Sequence, residues 1–329
     1  MRLSRTSVSI AAMLVSAMVM VGVTCIGEVP ESAEVAEPVE AAAEPEEAAE
    51  PETVPELIEE EVTSGDVHKV LLDQFEEGWP EKAKRQTLDL SLVLFRMGEN
   101  YEVDPTILAD EYMELLRTTL AMQPNFEKGW DGGVRRAMLV TSDIYRGARE
   151  SASRTCHEID PQRFDEDMDE FDVEAVNAYV LLSIGYRESR FTKRVETGEK
   201  LGGAGERGMF QFKPHKSGRR GFIEARFMPR YKGRDRTPAN RCSPFDRMCA
   251  VRGAANALAW IRCECIRQFG ERCNIDTYVA GYGRRSLPDP AEARHDRGPR
   301  NARRYLCDVR DDCDELWPVD HSDDFAATL

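Results

Sequence analysis

The spacing of apolar residues after Asp66 most restricts what this chain can fold into. Apolar side chains recur there every three or four positions, and no run alternates apolar and polar residues over the length of a strand. This spacing predicts helices and leaves room for no more than a small hairpin around Met209 to Phe212. We therefore predict a mainly α-helical fold.

Helix boundaries follow from this spacing and from residues that favour helix ends. Asp104 before Pro105 suits a capping residue followed by a first-turn proline, and Gly132-Gly133 breaks the chain before another helix. In the second predicted helix, Leu88, Leu92 and Phe95 fall on one side. The predicted helices span 66–75, 81–97, 134–151 and 246–269, and a further one runs from Pro105 through Ile107, Tyr112 and Leu115 to Leu116.

One helix is apolar on nearly every side. It runs from about Val173 to Tyr186 and leaves little room for a solvated face, so we expect it at the centre of the fold. The acidic residues 160–170 before it are expected to form a surface loop. Residues 66–155 form a helical region that is either a subdomain or an extension of the same core, and residues 156–329 are predicted to be the catalytic domain.

The segment 26–64 differs in composition from the rest of the chain. It holds fourteen Glu between Glu28 and Glu61 and no Lys or Arg, and it repeats Ala, Glu, Pro and Val. Of the formal charge of −16, this segment carries −14 and residues 1–25 carry +2, so residues 62–329 carry only −4. Charge repulsion and proline keep such a segment extended, which predicts a disordered acidic tether.

The first 25 residues have the pattern of an export signal. Arg2 and Arg5 precede a mainly apolar run from Ile10 to Val23, and this run is short for a membrane-spanning helix. Insertion of the whole stretch 8–26 as an anchor remains an alternative. Cys25 has two interpretations: it carries a lipid, as in an exported lipoprotein, or it is removed with the signal.

Cysteine usage supports export. Nine cysteines leave an even set of eight once Cys25 is set aside, which suggests disulfides in an oxidising compartment. Cys242 with Cys249 and Cys307 with Cys313 could close short loops. Cys263 and Cys265 point in different directions on one helix, so each needs its own partner. The full connectivity stays open, and zinc is the rival interpretation for Cys263 and Cys265 with Cys273.

Glu188 is the candidate catalytic residue. It follows the apolar helix, and a carboxyl group with little water around it can serve as a general acid. The alternative is an ion pair with Arg187 or Arg190 at the helix end. Further along come a glycine-rich stretch and four short pieces, which are Gly208-Met209-Phe210-Gln211-Phe212-Lys213-Pro214, Pro244-Phe245-Asp246, Tyr278-Val279-Ala280-Gly281-Tyr282-Gly283 and Tyr305-Leu306-Cys307-Asp308-Val309.

Together with Glu188-Ser189, this series resembles the soluble lytic transglycosylase family, whose lysozyme-like enzymes cleave peptidoglycan. The family pattern has Glu-Ser, Gly-Leu-Met-Gln with a nearby Pro, Pro-Phe-Asp, Ala-Tyr-Asn-Ala-Gly and Tyr-Val-x-x-Val in that order. The match covers about 173–309. Each piece alone is weak evidence, and the shared order carries the resemblance.

The resemblance implies a lysozyme-like α fold, and Glu188 as the single acid and base. Glu188 protonates the oxygen between MurNAc and GlcNAc and then deprotonates the MurNAc C6 hydroxyl, which attacks C1 to give a 1,6-anhydro product. No cofactor or metal is expected, and the five His show no ligand spacing. The substrate-binding residues implied by the resemblance are Ser189, Met209, Phe210, Gln211, Tyr278 and Tyr305.

Departures from the family pattern keep other functions open. Val279 stands where Asn is usual, and Tyr282 replaces a usual Pro. Glu196, Glu199 and Glu206 are expected in a solvated loop, but one of them facing the cleft as a second carboxylate would make a lysozyme-type hydrolase. A third alternative is a non-catalytic peptidoglycan-binding envelope protein.

Basic residues form two clusters, one in 213–236 with nine Lys or Arg against two acids and one that includes Arg284, Arg285, Arg300, Arg303 and Arg304. Nucleic acid would suit such patches, but export argues against it. Carboxylates of peptidoglycan are the expected ligands, and salt bridges without a ligand are the alternative. The predicted partners are therefore glycan strands and, through Cys25, a membrane; the predicted location is the periplasm.

Overall fold

Helices supply the regular secondary structure of the residues described by the computed structural model, which are 62–152, 154–166, 177–214, 226–229, 242–282 and 286–317. Within these residues the only β pairing is a single bridge between Arg207 and Phe212, at the place predicted for a small hairpin. The mainly α prediction is confirmed. The signal 1–25 with Cys25, the tether up to residue 61 and most of the basic cluster 213–236 lie outside the described residues.

Within the described residues, a 3₁₀ turn precedes α5 and another follows α9. None of the helices in the described ranges has the length and apolarity needed to cross a membrane. In chain order the helices are α1 Ser64–Asp73, α2 Glu81–Lys84, α3 Gln86–Tyr101, α4 Pro105–Met122, α5 Gly133–Ala152, α6 Cys156–Ile159, α7 Ala178–Ser189, α8 Lys193–Glu196, α9 Arg247–Phe269, α10 Ile275–Gly281, α11 Pro290–Ala293, α12 Arg297–Cys307 and α13 Cys313–Leu316.

Short polar side chains begin several of these helices where the sequence predicts. The Asp104 carboxylate accepts a hydrogen bond from the Thr106 amide at 2.8 Å, and Pro105 occupies the first turn of α4. Asp246 caps α9 in the same way through the Cys249 amide at 2.9 Å. The predictions for α4 and α9 are therefore confirmed, and their caps fix where the long helices start.

The predicted helix 81–97 is two helices. The Thr87 hydroxyl donates to the Lys84 carbonyl at 2.6 Å, next to the break between α2 and α3. Leu88 and Leu92 share a face, but it is largely exposed, while Leu90 and Leu94 are buried. The apolar spacing identified a helix correctly and pointed to its wrong face.

Helix α7 lies in the core, as predicted from its composition. Val180, Leu181, Leu182 and Ile184 are fully buried. The described helix starts at Ala178 after the capping residue Asn177, and the predicted start at Val173 lies outside the described residues. Helix α5 packs against α4, α7 and α9, so the segment before residue 155 and the segment after it share one hydrophobic core.

Four disulfides join the eight cysteines, and the prediction of disulfides is confirmed. Both short loops that the spacing suggested are closed, and Cys263 and Cys265 have separate partners. The cysteines proposed for zinc are all disulfide-bonded, so no thiolate of that set is available to a metal. The pairs are Cys156–Cys263, Cys242–Cys249, Cys265–Cys273 and Cys307–Cys313.

The Cys156–Cys263 disulfide fixes the acidic segment to α9. Phe164 is fully buried beside this disulfide, although 161–163 are exposed as a surface loop would be. Next to it, Glu264 accepts hydrogen bonds from Arg163 at 2.7 and 2.8 Å and from Arg267 at 2.6 Å. The Glu264 carboxylate therefore links the loop to the helix a second time.

The Glu264 carboxylate should make the fold sensitive to acid. Burial alone would raise its pKa, but hydrogen bonds from Arg163, Arg267 and Gln268 outweigh burial and lower the pKa from 4.5 to about 2. The stabilisation is present above pH 4.5 and is lost as the pH falls toward 2. We expect this group to remove up to about 3 kcal/mol from the free energy of unfolding over that range.

Urea unfolding of the wild type and of Glu264→Gln at several pH values between 2 and 7 measures this effect. The variant should be less stable at pH 7 and should lose less stability on acidification. Glu292→Gln, at an exposed carboxylate, serves as the control and should follow the wild type. Parallel pH profiles for wild type and Glu264→Gln would exclude the assigned role.

Candidate active site

Glu188 lies in the last turn of α7, at the edge of the core. Its side chain is 26% exposed, so the carboxylate is partly open to solvent. The helix ends where Arg190 adopts a left-handed backbone with φ of 54°, and the Arg190 amide donates to the Tyr186 carbonyl at 2.8 Å. The turn leaves Glu188 at the boundary between the buried helix and the surface.

Arg187 forms an ion pair with Glu188. The guanidinium donates to Glu188 Oε1 from Nε at 2.9 Å and also from Nη2. This contact is the alternative that the sequence left open. The Arg187 side chain is only 15% exposed, and its remaining Nη1 is buried with no hydrogen-bond partner among the described residues.

Ser189 faces the interior and stabilises the end of α7. Its hydroxyl donates to the Gly185 carbonyl at 2.8 Å and accepts from the Phe191 amide at 3.0 Å. Only 4% of the residue is exposed. The structure thus gives Ser189 a role in shaping the turn beside Glu188, and its predicted contact with substrate stays a prediction.

The loop that contains Gln211 is a tight turn closed by the bridge between Arg207 and Phe212. Gly208 has φ of 69°, and a Cβ there would lie 1.9 Å from the Pro244 carbonyl, so only glycine fits at this approach. Gln211 also has a positive φ, of 50°, and its Nε2 donates to the Gly208 carbonyl at 2.8 Å. The sequence piece that begins at Gly208 and the piece that begins at Pro244 therefore meet at Gly208.

Phe210 connects this loop to two other pieces. A Cβ on Gly185 of α7 would lie 3.4 Å from the Phe210 ring, and the Tyr282 hydroxyl donates to the Phe210 carbonyl at 3.3 Å. Met209 and Phe210 are fully buried and Tyr278 is 5% exposed. These three predicted substrate-binding side chains belong to the core, and their contact with substrate stays a prediction.

Tyr282 is close to the candidate acid. Burial raises the pKa of its hydroxyl well above the ordinary value, and the negative charge of Glu188 raises it further. Tyr282 therefore stays protonated and donates its hydrogen bond. Sequence reasoning noted Tyr282 only as a departure from Pro and missed that its hydroxyl anchors Phe210.

The last sequence piece, 305–309, reaches the end of α7 through Tyr305. The Tyr305 ring meets Tyr186 edge to face with centroids 5.3 Å apart, and the Arg190 guanidinium lies 4.3 Å from the centre of the Tyr305 ring. Arg190 also donates to the Tyr305 hydroxyl at 2.6 Å. Tyr305 thus sits within reach of the candidate site while its hydroxyl is occupied by Arg190.

The three carboxylates considered as a second catalytic group differ in their surroundings. Glu196 is buried and ion-paired with Arg136 at 2.5 Å, so the expectation that it lies in a solvated loop is wrong. Burial raises the pKa of Glu196, against the opposing charge of Arg136. Glu199 is exposed and contacts Thr197 at 3.2 Å. It therefore fits the solvated loop expected from the sequence.

Glu206 is the carboxylate of this set that lies beside a predicted substrate-binding residue. A Cβ on Gly202 would lie 2.3 Å from Glu206 Oε2 and 2.5 Å from Gln211 Oε1, so both side chains pack against the same glycine. The Ala204 amide donates to Glu206 Oε2 at 2.8 Å. Glu206 is therefore the second carboxylate to test.

A cleft of about 220 Å³ opens where Arg187 meets α10 and the start of α12. Sequence reasoning placed Lys213 in a basic cluster but missed Arg297, which also lines the cleft. The signal was available, because Asp296 before Pro299 marks a helix start and puts Arg297 in its first turn.

Comparison with known protein families, with curated proteins and with solved structures found no match for this chain.

Proposed function

We propose that this chain cleaves peptidoglycan as a lytic transglycosylase, with Glu188 as its single acid and base and with a lysozyme-like arrangement of helices. The supporting observation is that the five pieces, spread from 188 to 305, approach one another in a connected series that includes α7. A Cβ on Gly185 would lie 3.4 Å from the Phe210 ring and one on Gly208 would lie 1.9 Å from the Pro244 carbonyl. Tyr282 donates a hydrogen bond to the Phe210 carbonyl, and Tyr305 meets Tyr186 of α7 edge to face. A shared order of motifs carries more weight when the motifs also share one place.

The reaction needs only one carboxyl group. Glu188 gives its proton to the glycosidic oxygen between MurNAc and GlcNAc as the bond to C1 breaks. It then takes the proton of the MurNAc C6 hydroxyl as that oxygen bonds to C1. The proton count is restored, no water is consumed, and the product carries a 1,6-anhydro ring. Acid and base catalysis of this kind accounts for about 10²- to 10⁴-fold of a rate.

The pair with Arg187 sets a condition on this mechanism. An acid must carry a proton, and Glu188 Oε1 instead accepts two hydrogen bonds from the guanidinium. Release of Glu188 by Arg187 would free both carboxyl oxygens for the two proton transfers. We propose that substrate causes this release.

Export and anchoring are part of the same proposal. Four disulfides suit an oxidising compartment such as the periplasm, where peptidoglycan is accessible. The proposed partners are glycan strands and, through a lipid on Cys25, a membrane. Nucleic acid does not share that compartment.

A lysozyme-type hydrolase is the second candidate, and Glu206 is the observation that favours it. Its carboxylate lies beside Gln211, where it could activate a water molecule. The hydrolase would leave reducing ends in place of anhydro ends. The two reactions therefore differ in a product that mass spectrometry resolves.

Digestion of purified sacculi with the full chain tests the proposal. Muropeptides ending in anhydro-MurNAc are the expected products, and their mass is lower than that of reducing ends by one water. Reducing ends would replace the proposal with the hydrolase. Sacculi that are bound without being cut would instead favour a non-catalytic binding protein, provided that the four disulfides are shown to be formed.

Glu206→Gln separates the two enzymes further. A transglycosylase that uses Glu188 alone should keep its cleavage rate within about threefold, whereas a hydrolase that uses Glu206 as base should lose about a hundredfold or more. Glu199→Gln, in the same segment and exposed, is the matched control. A hundredfold loss in Glu206→Gln alone would overturn the single-carboxylate mechanism.

A further inference from the structure

The cleft beside Arg187 is lined by more basic than acidic side chains. Arg187, Lys213 and Arg297 line its volume of about 220 Å³, together with one acid, Asp296. No described acid pairs with Lys213 or Arg297, and Arg187 binds Glu188 through Nε and Nη2 only. With Glu188 counted beside its partner Arg187, three cations stand against two carboxylates, which leaves an excess of one positive charge. We name this place, lined by Arg187, Lys213, Tyr282, Arg297 and Gly298, the basic cleft.

The kind of ligand that the basic cleft binds is suggested by Nη1, the guanidinium nitrogen of Arg187 that makes no hydrogen bond to Glu188. Nη1 is buried without a described partner, and burying an unpaired donor on a charged group is costly. It lies against Gly298, where a Cβ would approach it to 3.0 Å. Gly298 lines the cleft, so the unpaired donor lies at the cleft wall. Because the donor is buried behind Gly298, a carboxylate in the cleft would attract the guanidinium and draw this nitrogen toward the cleft.

Helix α12 adds to the same preference. It begins at Arg297 and has 11 residues, so its first turn lies at the wall of the cleft. The partial positive charge of a helix start favours an anion in the cleft. The remaining wall comes from Val279, Ala280 and Tyr282, which suits a short carbon chain attached to the anionic group.

We propose that the basic cleft binds a carboxylate of the peptidoglycan muropeptide and that Arg187 is shared between this carboxylate and Glu188, an inference that rests on the proposed function. A ligand carboxylate that draws the guanidinium toward the cleft weakens the hydrogen bonds from Nε and Nη2 to Glu188. Arg187 is then a positioning residue that releases the catalytic carboxyl group when substrate is present. Charge-assisted bonds of this kind are strong enough for such competition.

Two parts of peptidoglycan carry the required group. The lactyl carboxylate of MurNAc is free on glycan without peptides, and it is blocked by an amide bond when a stem peptide is attached. The stem peptide then offers carboxylates of its own. Both sources present the same chemistry, so the experiment must separate them.

Titration with small probes that contain no cleavable glycosidic bond tests binding independently of activity. The probes are N-acetylmuramic acid, with a lactyl carboxylate, muramyl dipeptide, with a peptide carboxylate, and N-acetylglucosamine, with neither. Nuclear magnetic resonance titration of the full chain gives each Kd. We expect at least one acidic probe to bind about tenfold more tightly than N-acetylglucosamine, and which acidic probe does so identifies the source.

Arg297→Gln and Lys213→Gln test the site, because both residues are exposed and their replacement should leave the fold intact. Each should remove most of the preference for the acidic probe. Arg300→Gln, one turn further along α12 and exposed, should keep it. Equal affinities for all three probes, or a preference that survives both substitutions, would overturn the proposal even if the chain cleaves peptidoglycan.

The sharing of Arg187 has its own spectroscopic readout. The Nε–H resonance of Arg187, assigned by its loss in Arg187→Lys, should shift when the acidic probe saturates the wild type. N-acetylglucosamine should not shift it. Tight acidic binding with an unmoved Arg187 resonance would show that the cleft binds carboxylates without acting on Glu188, and the coupling would be rejected.

Discussion

Replacement of Glu188 by Gln should reduce the release of muropeptides from sacculi by about 10²- to 10⁴-fold. The amide keeps the shape of the side chain but can neither give a proton to the glycosidic oxygen nor take one from the C6 hydroxyl. The side chain is 26% exposed at a helix end, so the fold should tolerate the change. Mass spectrometry of the soluble products measures the rate.

Two comparisons make this result specific to Glu188. Glu199→Gln removes an exposed carboxylate that contacts Thr197 at 3.2 Å, and it should retain the wild-type rate. Glu188→Gln should still bind sacculi, because Glu188 is not among the residues that line the basic cleft. Retention of a tenth or more of the wild-type rate in Glu188→Gln would exclude Glu188 as the acid and base.

Removal of the Cys156–Cys263 disulfide should cause the largest loss of stability. It joins residues 107 apart. Closing a loop of that length lowers the conformational entropy of the unfolded chain, which stabilises the fold by about 4.7 kcal/mol. The loop also encloses Glu188, Gln211 and Asp246. The Cys156→Ala/Cys263→Ala variant should therefore unfold at a much lower guanidinium concentration and should lose activity at 37 °C.

The Cys307–Cys313 disulfide provides the matched comparison. Its cysteines are 6 residues apart, and the same relation gives about 2 kcal/mol for its removal. Guanidinium unfolding of the two double-alanine variants should thus differ by about 2 to 3 kcal/mol. Equal losses would mean that packing around each disulfide, rather than loop length, determines its contribution.

The parts of the fold that depend on local chemistry could be predicted from the sequence. Asp104, which precedes Pro105, and Asp246 mark helix starts. Their carboxylates accept hydrogen bonds from amides two or three residues further along the chain. The central place of α7 follows from its apolar composition. The buried face of α3 could not be predicted, because Leu88 and Leu90 are equally apolar and only the position of neighbouring helices decides between them.

The candidate site could be predicted in its components but not in its contacts. The order of the five pieces indicated Glu188 and Gln211, and the sequence offered the Arg187 pair as an alternative. The burial of Glu196 was missed because its partner Arg136 lies 60 residues earlier in the chain, on α5. The basic cleft was missed because it depends on where the start of α12 packs against Arg187.

Gly147 of α5 and Val251 of α9 show how closely the two segments of the chain depend on each other. A Cβ on Gly147 would lie 2.4 Å from a methyl group of Val251, so the size of one side chain limits the other. A chimera that kept Val251 in α9 but took α5 from another protein would clash wherever that helix carried a side chain at position 147. Domain exchange in this molecule therefore has to move α5 and α9 as one unit.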